Sequence, residues 1–206
     1  MKEPRAIERK SFEIVEELLA GLEFPPREKA IVKRVVHATG DPAYARLVEI
    51  HPAAVDAGLE AIRRGCRWFV DVNMVKVGIA RHLLDRFGGE VVCRVAEPGV
   101  AARAGQLRLT RAATAMRLAG TELQGQVVVV GNAPTALAEV CSLAREENIK
   151  PALIIGTPVG FVGAAESKEE ARSLGIPYMV TRGTRGGSAV AVAMANALLY
   201  LAVETE

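Results

Sequence analysis

Short apolar segments alternate with helix-length segments from Trp68 onward, and this pattern constrains the fold more than any other feature of the chain. The apolar segments are WFVDV, EVVCRV, QVVVVG, PALIIG and PYMVTRG. Runs of this length, rich in β-branched residues, are typical of buried strands. Strands that alternate with helices form a parallel sheet covered by helices on both faces. The sequence therefore predicts an α/β fold with an open, mostly parallel sheet of about five strands.

The first third of the chain and its last segment are predicted to be helical. RAIERKSFEIVEELLA stops at Gly21, and its apolar residues, mostly three or four positions apart, are Ile7, Phe12, Val15, Leu18 and Leu19. A second helix is expected from Pro25 and Pro26 to Gly40, and a third in HPAAVDAGLEAIRRG. The segment GGSAVAVAMANALLYLAVE is apolar nearly all round, which predicts a deeply packed helix or an oligomer-interface helix.

Composition and charge narrow the class of protein. With 206 residues, half of them hydrophobic, we expect one domain over residues 1–206. The net charge of +2 is spread along the chain, so no basic block indicates a nucleic-acid or membrane partner. Cys66, Cys93 and Cys141 form no CxxC pair and are expected to be thiols in a reducing compartment. The charged start MKEPRAIERK is unlike a signal peptide, and a cytoplasmic location is predicted.

Glycine-rich stretches follow three of the predicted strands, at the edge where sheets of this kind bind ligands: GNAPTAL, GTPVGFVG and RGTRGGS. A nucleotide site is one interpretation, because N–H groups at a helix start favour phosphate. However, GTPVGFVG lacks the first glycine pair of GxGxxG, and GTRGGS lacks the Lys-Ser/Thr of a P-loop. Turns that only pack helix against strand would equally explain Gly156 and Gly163. A site built from several loops is expected.

Patterns for a hydrolase or a metal site are weak. Ser188 would be the nucleophile of a hydrolase, but the chain has no GxSxG elbow, and a cap of the last helix is the simpler role. His37, His51 and His82 show neither HxH nor HExxH spacing. We therefore expect no protein-bound metal.

His37 lies in the last turn of the second predicted helix, and Arg34 lies three residues earlier on the same face. The negative end of the helix dipole favours a protonated imidazole there, so the pair is expected to be cationic near neutral pH. The alternative is that His37 only hydrogen-bonds the last carbonyls of the helix and that Arg34 is a solvated surface residue. The local pattern leaves both interpretations open.

Four segments in this order resemble the precorrin-8X methylmutase family of cobalamin biosynthesis: RVVHATG, GNAPTAL, GTPVGFVGAAESK and RGTRGGSAVAVAMANAL. The resemblance extends from about Ser11 to Leu199. It implies a doubly wound α/β fold, a homodimer, no cofactor, and an isomerase that moves a methyl group from C-11 to C-12 of a corrinoid precursor. That precursor is precorrin-8X or cobalt-precorrin-8, and the product is hydrogenobyrinate or cobyrinate. A carrier that binds tetrapyrroles without turnover is the alternative, and the presence of His37 with Arg34 argues against it.

The resemblance also implies roles for individual residues. The family's catalytic histidine corresponds to His37, the proton donor, and Arg34 and Ser11 correspond to substrate contacts. The remaining substrate-binding positions that it implies are Arg111, Asn132, Gly160, Gly163 and Ser188. Arginines suit the acetate and propionate groups at the rim of the macrocycle, and small residues allow the ring to approach closely. One departure is Ala80, where the family often has a threonine near the ligand.

Overall fold

The computed structural model describes residues 4–205. Residues 1–3, which belong to the charged N-terminal segment considered above, and residue 206 lie outside the described residues. Strands β1 to β6 are, in chain order, Val48–Ile50, Arg67–Val70, Glu90–Val92, Val127–Val130, Leu153–Gly156 and Tyr178–Thr181. Helices α1 to α10 are Pro4–Leu18, Pro26–Thr39, Ala54–Arg63, Asn73–Gly78, Arg81–Leu84, Val100–Leu107, Arg111–Ala119, Pro134–Glu146, Ala164–Arg172 and Ser188–Glu204.

The strands form one sheet in the order β1-β6-β5-β4-β2-β3. All neighbours are parallel except β1, which pairs antiparallel with β6 at the edge. The five predicted strands are confirmed as β2 to β6, and the mostly parallel α/β fold is confirmed with them. The chain crosses from β3 at one edge to the other side of β2 to form β4, so the carboxyl ends of β2 and β4 flank a change of direction. Sheets of this kind bind ligands at such a point.

Side chains of the central strands alternate between two hydrophobic cores, one on each face of the sheet. Val70, Val129 and Ile155 lie in the core that contains α2, α3 and α10. Phe69, Val128 and Ile154 lie in the core formed with α7 and α8. Central strands buried on both faces must be apolar at every position, which explains the continuous run Val127–Val130. The expectation of helices on both faces is confirmed.

Helix α10 is the central helix of the first core. It contacts α2, α3, α4, α5 and the strands β4 and β5, and it is buried around most of its circumference, except for a less buried stripe of Ala189, Val192, Asn196 and Tyr200. Of the two alternatives for this segment, the structure shows the deeply packed helix. The helix α2 lies along α10, and this contact positions the last turn of α2 beside the first half of α10.

Helix α1 is confirmed, but only part of its apolar arc is buried. Val15 and Leu19 are buried as expected. Ile7 and Leu18, however, are 46% and 54% exposed, and Ile14 between them is 46% exposed. Because α1 packs on α2 along one side only, its apolar arc is wider than the surface that covers it. Ile7 and Leu18 therefore lie outside the core.

Strand β1 was not predicted. It has three half-buried residues and no apolar run. No helix within residues 4–205 is both long and apolar enough to cross a membrane.

Candidate functional site

His37 is exposed at the end of α2 and does not cap the helix. Gly40 adopts the left-handed conformation, with φ of 64°, and donates its N–H to the Val36 carbonyl. The hydroxyl of Thr39 donates to the carbonyls of Val35 and Val36, at 2.9 and 3.3 Å. Among the described residues the His37 imidazole makes no hydrogen bond, so its nitrogens remain available to a ligand. The interpretation of His37 as a helix cap is not supported.

Aromatic rings hold both His37 and Arg34 in place. The imidazole stacks on the Phe12 ring, with 4.8 Å between ring centroids and 21° between planes. The Arg34 guanidinium carbon lies 3.9 Å from the Tyr200 ring centroid and 5.3 Å from that of Phe12. Arg34 forms no ion pair with a carboxylate among the described residues. Stacking orients the guanidinium and leaves its in-plane N–H groups free to bind a carboxylate.

Two cavities meet at His37. One, of about 300 Å³, lies between α2 and α10 and is lined by Arg34, His37, Ala38, Ala189, Val192, Ala193, Asn196 and Tyr200. The other, of about 120 Å³, lies between α1 and α2, and its lining includes Ser11, His37, Gly40 and Pro42. The predicted residues Ser11, Arg34 and His37 are therefore brought together. Their surroundings combine small apolar side chains with cations, which suits an apolar ring that carries carboxylates.

A larger open hollow of about 620 Å³ lies on the outer side of Phe12, between α1 and α2. Its lining combines the glutamates Glu13, Glu16 and Glu17 with the cations Arg9 and Lys33. This lining includes neither Arg34 nor His37. The hollow is therefore a poorer candidate for the substrate site than the cavity at Arg34 and His37.

The glycine-rich loops after β5 and β6 form one unit. Gly160 donates its N–H to the Thr184 carbonyl at 3.0 Å, and Gly187 donates to the Thr157 carbonyl at 2.7 Å. Gly160 and Gly163 have φ values of 148° and 75°, which residues with a side chain rarely adopt. The two predicted glycines thus need to be glycine for the loop to take this path.

Asp71 holds the loop after β4 from the end of β2. Its carboxylate accepts hydrogen bonds from the N–H groups of Gly131, Asn132 and Ala133, at 3.1, 2.8 and 2.7 Å. The side chain is fully buried, and burial raises the pKa of the Asp71 carboxyl although these three bonds oppose the change. The predicted residue Asn132 is exposed, and its backbone N–H belongs to this network.

Ser188 and Arg111 reach the same edge of the sheet. Ser188 is buried in the first turn of α10, and Gly187 rather than Ser188 is the N-cap, so the expected capping role of Ser188 is wrong. Arg111 is exposed at the start of α7, which is joined to the start of α8 by a 2.7 Å hydrogen bond between the hydroxyls of Thr110 and Thr135. Five of the predicted contacts line neither cavity at His37: Arg111, Asn132, Gly160, Gly163 and Ser188.

The glycine loops are tied to the end of α2. Arg185, in the loop after β6, forms an ion pair with Asp41 and lies 4.5 Å over the Tyr44 ring. The Tyr44 hydroxyl donates to the Gly186 carbonyl at 3.4 Å. Asp41 and Tyr44 follow α2 directly. The loops that contain Gly160 and Ser188 therefore have a fixed position relative to His37.

Several site residues were missed by the sequence-based reasoning. Asp71 had a usable signal, since an acidic residue directly follows the buried strand in WFVDV. Asn196 is a polar residue in an otherwise apolar helix; it accepts a hydrogen bond from the Ala80 N–H at 2.8 Å and donates to the Gly78 carbonyl at 3.0 Å. Phe12 and Tyr200 gave no signal of a role at the site. Within residues 4–205 no cluster of three His, Cys, Asp or Glu side chains is arranged to hold a metal ion.

Comparison with known proteins identifies the family. A family model described as precorrin-8X methylmutase matches residues 6–201. A cobalt-precorrin-8 methylmutase of Priestia megaterium is 43% identical over 200 residues, which cover 97% of this chain and 89% of that protein. A precorrin-8X methylmutase of Pseudomonas aeruginosa is 42% identical over 202 residues, which cover 96% of both proteins. The crystal structure of a precorrin-8X methylmutase from Thermus thermophilus, 40% identical, superposes with a TM-score of 0.90 over 97% of this chain and 98% of that one. This chain belongs to the precorrin-8X methylmutase family.

Proposed function

We propose that this protein is an isomerase that moves a methyl group from C-11 to C-12 of precorrin-8X or cobalt-precorrin-8, giving hydrogenobyrinate or cobyrinate in cobalamin biosynthesis. The observation that carries the proposal is the family match across residues 6–201. Relatives named for the cobalt-bearing and the metal-free substrate are 43% and 42% identical to this chain, so the proposal covers both forms of the substrate. A carrier function is not favoured, because these relatives are named as methylmutases.

His37 is the general acid of the proposed reaction. The rearrangement conserves all atoms of the substrate and therefore needs no co-reactant, and a proton donor serves only to catalyse it. The imidazolium gives its proton to the ring system and makes it electron-poor. The methyl group then forms its bond to C-12 as its bond to C-11 breaks, and the proton returns to the imidazole as the product relaxes. The imidazole of His37 is exposed, makes no hydrogen bond among the described residues and lines both cavities, which supports this role.

The other site residues bind the ring and its rim. Arg34 pairs with a rim carboxylate, because its guanidinium is stacked and has no carboxylate partner among the described residues. Arg111 and Asn132 bind rim groups that extend along the carboxyl edge of the sheet, while Ser11 and Ser188 bind polar groups nearer to His37. Gly160 and Gly163 allow the macrocycle to approach the loop backbone closely.

The protein is further proposed to act as a homodimer through α1. Ile7, Ile14 and Leu18 form an exposed apolar stripe at helical spacing, which a second copy of α1 would bury in a two-fold contact. Ile14 and Leu18 also line the smaller cavity at His37, so this contact would close that cavity from outside. Ile14→Glu is expected to give a monomer in sedimentation velocity, because a carboxylate in this contact would be buried without a partner. Glu13→Lys, on the same helix but outside the stripe, is the control and should remain dimeric. A wild-type monomer at micromolar concentration would contradict the proposal.

The three cysteines are free, two of them buried, which fits the proposed cytoplasmic location.

Turnover of the substrate tests the proposed function directly. Purified protein is mixed with precorrin-8X, and in parallel with cobalt-precorrin-8, and the absorbance spectrum is recorded over time. The spectrum of hydrogenobyrinate or cobyrinate should appear with wild type. If the protein binds hydrogenobyrinate but leaves both precursors unchanged, it is a carrier and the proposal fails.

A further inference from the structure

Lys168 is a buried lysine whose ammonium bonds only to loop backbone and a hydroxyl. Its side chain, on α9, is 1% exposed. The ammonium donates to the carbonyls of Pro158 and Arg185, at 3.1 and 3.0 Å, and to the Thr181 hydroxyl at 3.4 Å. Three donors thus meet three acceptors, and no carboxylate of the described residues forms an ion pair with this lysine.

Packing alone does not account for a lysine at this position. An ammonium is costly to bury without a carboxylate, and burial lowers the pKa of Lys168 to about 8. A methionine would fill the same space between helix and sheet without that cost. The physical reason for the lysine is therefore its set of three N–H donors, which no apolar side chain supplies.

The acceptors of Lys168 belong to the loops after β5 and β6, which carry or lead to the proposed substrate contacts Gly160, Gly163 and Ser188. Pro158 lies in the loop that contains Gly160 and Gly163, and Arg185 lies in the loop that leads to α10. The Thr181 hydroxyl also donates to the Arg185 carbonyl at 2.7 Å. Lys168 thus bonds to both loops, and the loops also bond to each other through the Gly160 N–H and the Thr184 carbonyl.

The same contacts extend to the end of α2. The backbone of Arg185 is held by Lys168, and its side chain forms the ion pair with Asp41, directly after Gly40. Lys168 lines neither cavity at His37, so it has no direct access to a ligand there. Any effect of Lys168 on the reaction must act through the position of the loops.

We propose that Lys168 is a positioning residue for the methyl migration, which holds both glycine-rich loops where Gly160, Gly163 and Ser188 contact the macrocycle beside His37. The proposal rests on the proposed function for its substrate. Replacement of Lys168 is therefore expected to weaken substrate binding more than it slows the chemical step, because the proton donor His37 is held separately by α2 and Phe12.

The test compares Lys168→Met with two controls. Hydrogen–deuterium exchange of the free protein measures how often the loops open. Steady-state kinetics with precorrin-8X and cobalt-precorrin-8 measures KM and kcat. In Lys168→Met the amides of Gly160 and Gly187 should exchange at least about tenfold faster, and KM should rise about tenfold while kcat stays within about threefold. Lys150→Met removes an exposed lysine, and Val140→Ala weakens the core of α8 without touching the loops. Both controls should leave loop exchange and KM near wild type.

Thr181→Val supplies a second variant that keeps the proposal testable if Lys168→Met does not fold. Valine matches threonine in shape and removes one acceptor of Lys168 and one donor to Arg185, so the same changes are expected at about threefold. Unchanged loop exchange, or faster exchange with an unchanged KM, would overturn the positioning role. If wild type shows no turnover, the proposed function fails, whereas the exchange experiment still decides whether Lys168 holds the loops.

Discussion

At the scale of single residues, Arg34 differs from the neighbouring lysines of α2, because it has no carboxylate partner among the described residues. Lys29 and Lys33 on α2 both form ion pairs with Glu16, and their hydrogen bonds lower the pKa of that carboxyl to about 2. Arg34, on the same helix, lies instead over the Tyr200 ring. Aromatic contact fixes the guanidinium without occupying its N–H groups. The helix therefore offers one oriented cation whose donors are available to a substrate carboxylate.

His37→Ala should separate binding from chemistry. Acid catalysis by one positioned side chain is worth about 10²–10⁴-fold, so kcat should fall by at least that order. The affinity for hydrogenobyrinate should change little, since the arginines and the loops remain. Turnover and a product titration measured on the same preparation check both effects. His37→Asn is the matched variant, because it keeps polarity but cannot donate a proton as an acid, and its kcat should be equally low. Near-wild-type kcat in either variant would remove the acid from the mechanism.

Arg34→Ala should weaken product binding. A charge-assisted hydrogen bond is worth about 1.5–3 kcal/mol, which corresponds to roughly 10- to 150-fold in Kd for hydrogenobyrinate. Lys33→Ala is the control on the same helix, because its charge is already paired with Glu16, and its effect should stay below about threefold. Equal Kd values for wild type and Arg34→Ala would show that Arg34 is not a substrate contact.

At the scale of elements, buried charges connect each loop of the site to a neighbouring element. Asp71 at the end of β2 binds the backbone N–H groups that start the β4–α8 loop. Lys168 on α9 binds carbonyls of the loops after β5 and β6. Parallel strands end together at one edge, but their hydrogen bonds do not fix the chain beyond the last pair. Asp71 and Lys168 therefore fix the backbone of these loops beyond the ends of the strands.

Asp71→Asn should destabilise the fold through this loop. An amide accepts with one oxygen, so at least one buried N–H of residues 131–133 loses its partner, at a cost of about 1–3 kcal/mol in the free energy of unfolding. Urea denaturation monitored by circular dichroism measures this change. Asp56→Asn is the control, since Asp56 is exposed and its ion pair with Arg27 should contribute little. An Asp71→Asn protein as stable as wild type would mean that the loop holds its shape without this carboxylate.

At the scale of the whole molecule, the sequence predicted what depends on burial and periodicity. Strands β4 and β5 are buried on both faces and apolar throughout, so they were readily predicted. Strand β1 escaped prediction because an edge strand of three half-buried residues needs no apolar run. The exposure of Ile7 and Leu18 on α1 could not be predicted either, because the period of a helix does not reveal how much of its apolar arc a neighbour covers.

Site residues divide in the same way. Arg34 and His37 share a helix face, which their spacing predicts. Tyr200 contacts Arg34 only through the packing of α10 on α2, which no local pattern encodes. Lys168 lies in a charged segment that is typical of a solvated helix surface, and only the folded chain shows that its ammonium is buried. The sequence could thus indicate the residues of the site but not the side chains that hold them in place.

Lys168 should also change how the stability of the whole molecule depends on pH. Its folded-state pKa of about 8 is lower than the ordinary value of 10.5, because burial disfavours the ammonium. Below about pH 8 the lysine is charged in both states and the cost of burial is fully present. Between pH 8 and about 10.5 the unfolded chain binds more protons than the folded one, so this contribution to stability rises with pH. The free energy of unfolding of wild type minus that of Lys168→Met, from urea denaturation in reducing buffer at pH 7, 8, 9 and 9.5, should therefore increase, while other titrating groups cancel in the difference. A difference that stays constant or falls over this range would show that the buried ammonium does not cost the protein stability.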